Sequence, residues 1–158
     1  MKMMRVNLLL MTLFGGMFAW SQPANDGCTQ AIPICPSVSL TASNQSATST
    51  VCPDCEDDFT FCFSGDNSVW FTFQTNATGG TVSVDFSNLN FVIQANRGNL
   101  LQATILQATV PCDASSYTAI GNCEIGAGAN FSLVATGLLP LTTYYVVVNG
   151  ALNGGATL

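Results

Sequence analysis

Seven cysteines and a knot of carboxylates are the residues of this chain whose types and spacing could do chemistry. The cysteines stand at 28, 35, 52, 55, 62, 112 and 123. Cys52-Pro53-Asp54-Cys55 is a C-x-x-C, the spacing of a redox pair or of half a zinc site. A redox pair usually heads a helix, whose N-terminus lowers the thiol pKa. Here Asp54, Glu56, Asp57 and Asp58 crowd the motif and would raise it. Structural zinc wants four ligands, and the chain has no histidine, so further cysteines such as Cys28 or Cys62 would have to bring the set to four thiolates. Asp54, Glu56, Asp57, Asp58 and Asp66 are hard oxygen ligands of the kind Ca²⁺ takes, although they lack the glycine and terminal glutamate of an EF-hand loop. The plainer readings are cross-links for the thiols and a solvated loop for the acids.

The compartment decides between these readings. Lys2 and Arg5 precede an apolar run from Leu8 to about Trp20, and Ala19 and Ser21 fit the small-residue rule for cleavage after Ser21. The run is too short for a stable span, and Gly15-Gly16 interrupts it. Residues 1–21 therefore read as a helical signal peptide, with no membrane insertion after its removal. Export puts the thiols in an oxidising compartment, where disulfides persist. By spacing, Cys112 pairs with Cys123, closing a loop of about 12 residues worth about 3 kcal/mol. Cys35 with Cys52 and Cys28 with Cys62 are the next pairings, leaving Cys55 free or bound beyond residue 158.

Cleavage also strips Lys2 and Arg5, leaving Arg97 as one cation against nine acids, a net charge of −8. Such a surface cannot neutralise a row of phosphates, so nucleic acid is excluded as a partner, and anionic lipid is poorly attracted. Ser-His-Asp and Cys-His catalysis need an imidazole that is absent, and the mature chain has no lysine for a Schiff base. The expectation is a protein that is not an enzyme and needs no cofactor, with Ca²⁺ the candidate ion for the acidic loop.

The elements that must carry these residues are strands. Val69, Phe71 and Phe73 alternate with Trp70, Thr72 and Gln74. Val82, Val84 and Phe86 repeat the pattern after a Gly79-Gly80 turn, and Phe91 and Ile93 continue it. Leu101 to Val110 is strand-like, Phe131 to Thr136 alternates again, and Thr143 to Val148 is the strongest strand. Residues 22–50, rich in Ser, Thr, Ala and Asn, read as an extended lead-in with short edge strands. Residues 51–158 read as one all-β, antiparallel β-sandwich domain. Its core would hold Phe71, Phe73, Val82, Val84, Phe86, Phe131, Leu133 and one face of Tyr144–Val148. The run from Asn149 to Gly155 reads as a turn, with Ala156-Thr157-Leu158 starting a strand, so the domain is expected to continue past Leu158. Trp70, Tyr117, Tyr144 and Tyr145 are the aromatics that could stack on sugar rings, Trp70 and Tyr117 above all, or else pack the sheet.

Three stretches carry a resemblance. Asn25-Asp26-Gly27-Cys28-Thr29-Gln30-Ala31-Ile32-Pro33 is similar to the "ND-x-C-x-x-A-I-P" opening of domains in large exported surface proteins of gliding-type bacteria. Ser68-Val69-Trp70-Phe71-Thr72-Phe73 is similar to their "S-V-W-Y-x-F" strand, and Leu138 to Gly150 to their closing "Y-Y-V-x-V" strand. The resemblance implies a jelly-roll or CUB-like sandwich at a bacterial cell surface or secreted from it. It also implies neighbouring domains in a longer chain and a type IX secretion sorting domain. It carries no catalytic residues. Two functions fit. One is a structural or adhesion module that meets surface proteins. The other is a glycan-binding module, Ca²⁺-assisted, in a secreted degradative enzyme.

Overall fold

A computed structural model describes residues 21–48, 57–59, 62–63, 65, 67–91, 100–151 and 156–157. The predicted signal up to Trp20, the Cys52–Cys55 motif and Ile93 lie outside these residues. Among them the chain forms an all-β fold, with only single turns of 3-10 helix at Cys28–Gln30 and Ala114–Ser116. The strands are β1 (Ile32–Pro33), β2 (Val69–Gln74), β3 (Gly80–Phe86), β4 (Asn90–Phe91) and β5 (Leu100–Ala108). They continue with β6 (Tyr117–Ala119), β7 (Glu124–Ala127), β8 (Phe131–Leu138), β9 (Thr143–Ala151) and β10 (Ala156–Thr157).

The main sheet runs β1-β2-β9-β5-β6, with β7 sharing the outer edge of β5. The pairings are antiparallel except for β1, which lies parallel to β2. Aromatic and β-branched residues dominate β2 and β9, and such side chains pack best on a pleated surface. β9 sits between β2 and β5, so its backbone ladder is paired on both sides. Two smaller ribbons complete the fold: β3 with β8, and β4 with β10.

The expected core is present. Val69, Phe71, Phe73, Leu101, Ala103, Ile105, Tyr144, Val146 and Val148 point from one face of the main sheet, and Phe86, Leu133, Ala135 and Leu138 meet them from the ribbon. Val82, Val84 and Phe131 are half-buried at its margin. Two rings stack at each end of this layer, Phe86 on Phe131 and Phe73 on Tyr144, with centroids 4.4 and 5.6 Å apart. The Tyr144 hydroxyl accepts the Leu139 N–H at 2.9 Å, and the Thr75 hydroxyl donates to the Leu139 carbonyl at 2.6 Å. Those bonds pin the β8–β9 turn.

The opposite face of the main sheet is also covered. Trp70, Val147, Leu106 and Tyr117 lie beneath Cys28, Phe59, Phe63 and Ala114 in a second apolar cluster. A period-two reading puts Trp70, Thr72 and Gln74 on an outward face. Trp70 instead has no exposure at all, because loops fold over it. That double cover explains why Tyr144-Tyr145-Val146-Val147-Val148 reads as a continuous apolar run.

Candidate functional site

Two disulfides hold the covering loops on this second face, and neither is a pairing that spacing suggested. Cys28 bonds Cys112, and Cys62 bonds Cys123, across 84 and 61 residues. Cys112 and Cys123 bracket β6, and β6 pairs with the far end of β5. The strand therefore carries the two sulfurs to different covering loops instead of folding them onto each other. Cys28 and Cys62 are likewise each engaged elsewhere. Cys35 is exposed and unbonded, which removes the Cys35–Cys52 pairing; Cys52 and Cys55 lie outside the described residues. Beside the Cys62–Cys123 disulfide the buried Thr104 hydroxyl lies 3.7 Å from Cys62 Sγ and 3.4 Å from Cys123 Sγ, donating toward them.

The aromatic cluster beneath is built edge to face. Phe59 meets Phe63, Trp70 and Tyr117 with centroids 5.7, 6.2 and 6.2 Å apart, and Trp70 meets Tyr145 at 6.4 Å. Such pairs add about 0.5–1.5 kcal/mol beyond area burial. Trp70 is 0% exposed and Tyr117 9%, so neither ring offers a face to a sugar. The expectation of glycan stacking on Trp70 and Tyr117 is corrected by this: the sequence showed the rings but not the loop that roofs them. Trp70 Nε1 and Ser68 Oγ are buried without a hydrogen-bond partner among the described residues.

The acidic loop is only partly described. Asp57 is 3% exposed and Asp58 is exposed, while Asp54, Glu56 and Asp66 lie outside the described residues. No cluster of three or more His, Cys, Asp or Glu ligands stands among the described residues. Asp26, Asp85 and Asp113 brace nearby loops and strands. Asp26 accepts from the Thr48 N–H and hydroxyl, both at 2.6 Å, and Asp113 accepts from the Ser115 N–H at 3.0 Å and hydroxyl at 2.6 Å. Asp85 accepts from Ser132 at 2.6 Å and Ser83 at 2.9 Å; those bonds, Ser132 first, hold its carboxyl below the ordinary aspartate range.

Buried amides do structural work that the sequence did not announce. Asn67 and Asn149 clasp each other's neighbourhood: the Asn67 N–H donates to Asn149 Oδ1 at 2.8 Å, and the Gly150 N–H to Asn67 Oδ1 at 3.1 Å. Asn25, 2% exposed, donates to the Trp70 carbonyl at 2.9 Å and accepts from the Trp70 N–H at its own carbonyl, also at 2.9 Å. An asparagine just outside a strand gives no signal by type alone; only the fold reveals the clasp.

The lead-in encloses a surface hollow of about 470 Å³. Asn25, Thr41, Ser43, Gln45 and Ser46 line it with Pro23, Ala24, Ile32 and Ala42, and Ser21, the last residue of the expected signal, borders it; the lining is neutral, with hydroxyl and amide groups among small apolar ones. Compared with known proteins, the chain matches no family model, no curated protein and no solved structure.

Proposed function

We propose that this chain is a non-catalytic extracellular module with a structural or adhesive role on a bacterial surface, its two layers forming a jelly-roll or CUB-like sandwich. One observation carries the reading: the side chains that could do chemistry are spent on architecture. Four cysteines are cross-links, Trp70 and Tyr117 are core, and Asp26, Asp85 and Asp113 brace turns and strands. Long-range disulfides suit export, and the resemblance of the Asn25–Pro33 opening suits a surface protein. The hydroxyl-rich, weakly charged surface suits contact with neutral polymers and neighbouring domains.

The hollow supports a second reading, a site for a neutral polyhydroxyl ligand. Its uncharged donors and acceptors match sugar hydroxyls, with the small apolar residues against a ring face. A glycan array run on the oxidised protein, with and without Ca²⁺, separates the two. The structural reading expects no specific glycan signal in either condition. A signal lost on Thr41→Trp, which fills the hollow, establishes the second reading instead.

A further inference from the structure

The β3–β8 ribbon has two outer edges, and the molecule treats them differently. The β8 edge is closed. The Asn122 N–H donates to the Val134 carbonyl at 3.3 Å, the Val134 N–H to Asn122 Oδ1 at 2.6 Å, and Asn122 Nδ2 to the Ser132 carbonyl at 3.2 Å. Backbone groups of Ser132 and Val134 thus point away from β3. In an antiparallel pair, residues facing each other share one orientation, both inward or both outward. Val134 faces Ser83 and Ser132 faces Asp85. The N–H and C=O groups of Ser83 and Asp85 therefore point outward from β3, and no described residue pairs with them. An edge left open by the described residues is a template for another strand.

The side chains say which strand. Across the ribbon Leu133 and Ala135 are fully buried, whereas Val82 and Val84 on β3 stay half-exposed, so among the described residues the apolar layer is less complete along β3. A second β3, laid antiparallel with Ser83 opposite Ser83, uses the whole strand from Gly80 to Phe86. It bonds the outward groups of both Ser83 residues to each other, sets Val82 against Val84 of the other copy, and places each Asp85 opposite Thr81. A register centred on Asp85 sets two carboxylates face to face, which repel. We propose that β3 is the contact edge of a two-fold dimer of this chain, joining two ribbons into a β8–β3–β3–β8 sheet centred on Ser83.

The test uses the oxidised, signal-free chain carrying Cys35→Ser, so that the exposed thiol cannot cross-link copies. Sedimentation velocity over a concentration series should show monomer giving way to dimer. Ser83→Pro removes an outward donor on each copy and leaves the β8 ladder intact, so association should weaken about tenfold or more. Ser83→Cys should form an intermolecular disulfide under mild oxidation, since hydrogen-bonded partners sit about 5.5 Å apart at Cα, within disulfide reach. The exposed Thr136→Cys on β8 should not. A chain that stays monomeric throughout the series overturns the proposal. So does association that Ser83→Pro leaves unchanged, or cross-linking of Thr136→Cys as fast as Ser83→Cys.

Discussion

Trp70→Ala removes the ring around which Phe59, Tyr117 and Tyr145 are packed at 5.8–6.4 Å. Truncating a buried aromatic of this kind is expected to cost about 3–5 kcal/mol, read as a lower midpoint in denaturant at unchanged slope. The chain has two tryptophans, Trp20 and Trp70, and removal of residues 1–21 leaves Trp70 as the sole reporter. Its emission should be blue-shifted, indifferent to added sugars, and red-shifted on reduction of the disulfides. Asp85 sets a pH effect of known sign. Its folded pKa is depressed, so its contribution is present above the ordinary aspartate value and is lost as pH falls through the lowered folded value. Carboxyl titration by NMR should place Asp85 below a reference aspartate, and Ser132→Ala should move it back up. Residue types announced the aromatic side chains, but burial of Trp70 depends on Phe59 and Phe63, which only the fold brings above it.

At the scale of elements, strand identity was largely legible because it rests on local pattern. The β2, β3, β8 and β9 segments appear where apolar alternation and β-branched runs placed them, and β1 is the short edge strand expected of the lead-in. β7 was missed: Glu124-Ile125-Gly126-Ala127 has a charge and a glycine and becomes a strand by filling the free edge of β5. The closure of the β8 edge was equally hidden, because it depends on a glycine with φ of +89°, Gly121, that lets Asn122 reach β8. A β-carbon at Gly121 would collide with the Val134 carbonyl oxygen. Gly121→Ala is therefore expected to lose more than the about 1–2 kcal/mol of left-handed strain alone, measured by chemical denaturation. The Asn67–Asn149 clasp ties the entry of β2 to β9. Asn149→Ala leaves a buried N–H unmet, at an expected cost of about 1–3 kcal/mol in the same measurement.

At the scale of the whole molecule, the account turns on the disulfides. The sequence favoured a Cys112–Cys123 bridge because the two flank one loop near two strand ends. The fold instead joins the lead-in to the β5–β6 connection and the Phe59–Phe63 cover to the β6–β7 connection. Such partners are set by three-dimensional proximity and leave no trace in local sequence. Long closures restrict the unfolded chain more than short ones. Taken alone, the Cys28–Cys112 bridge across 84 residues is worth about 4.5 kcal/mol in the chain-entropy model. The two loops interlock, so their effects will not simply add. The central claim is that Cys28, Cys62, Cys112 and Cys123 form long-range staples rather than a redox or metal site. Peptide mapping by mass spectrometry under non-reducing conditions tests it most directly. The account predicts Cys28 linked to Cys112, Cys62 linked to Cys123 and a free thiol at Cys35; a Cys112–Cys123 link, or a reduced Cys28 or Cys62 in the protein isolated under oxidising conditions, would contradict it.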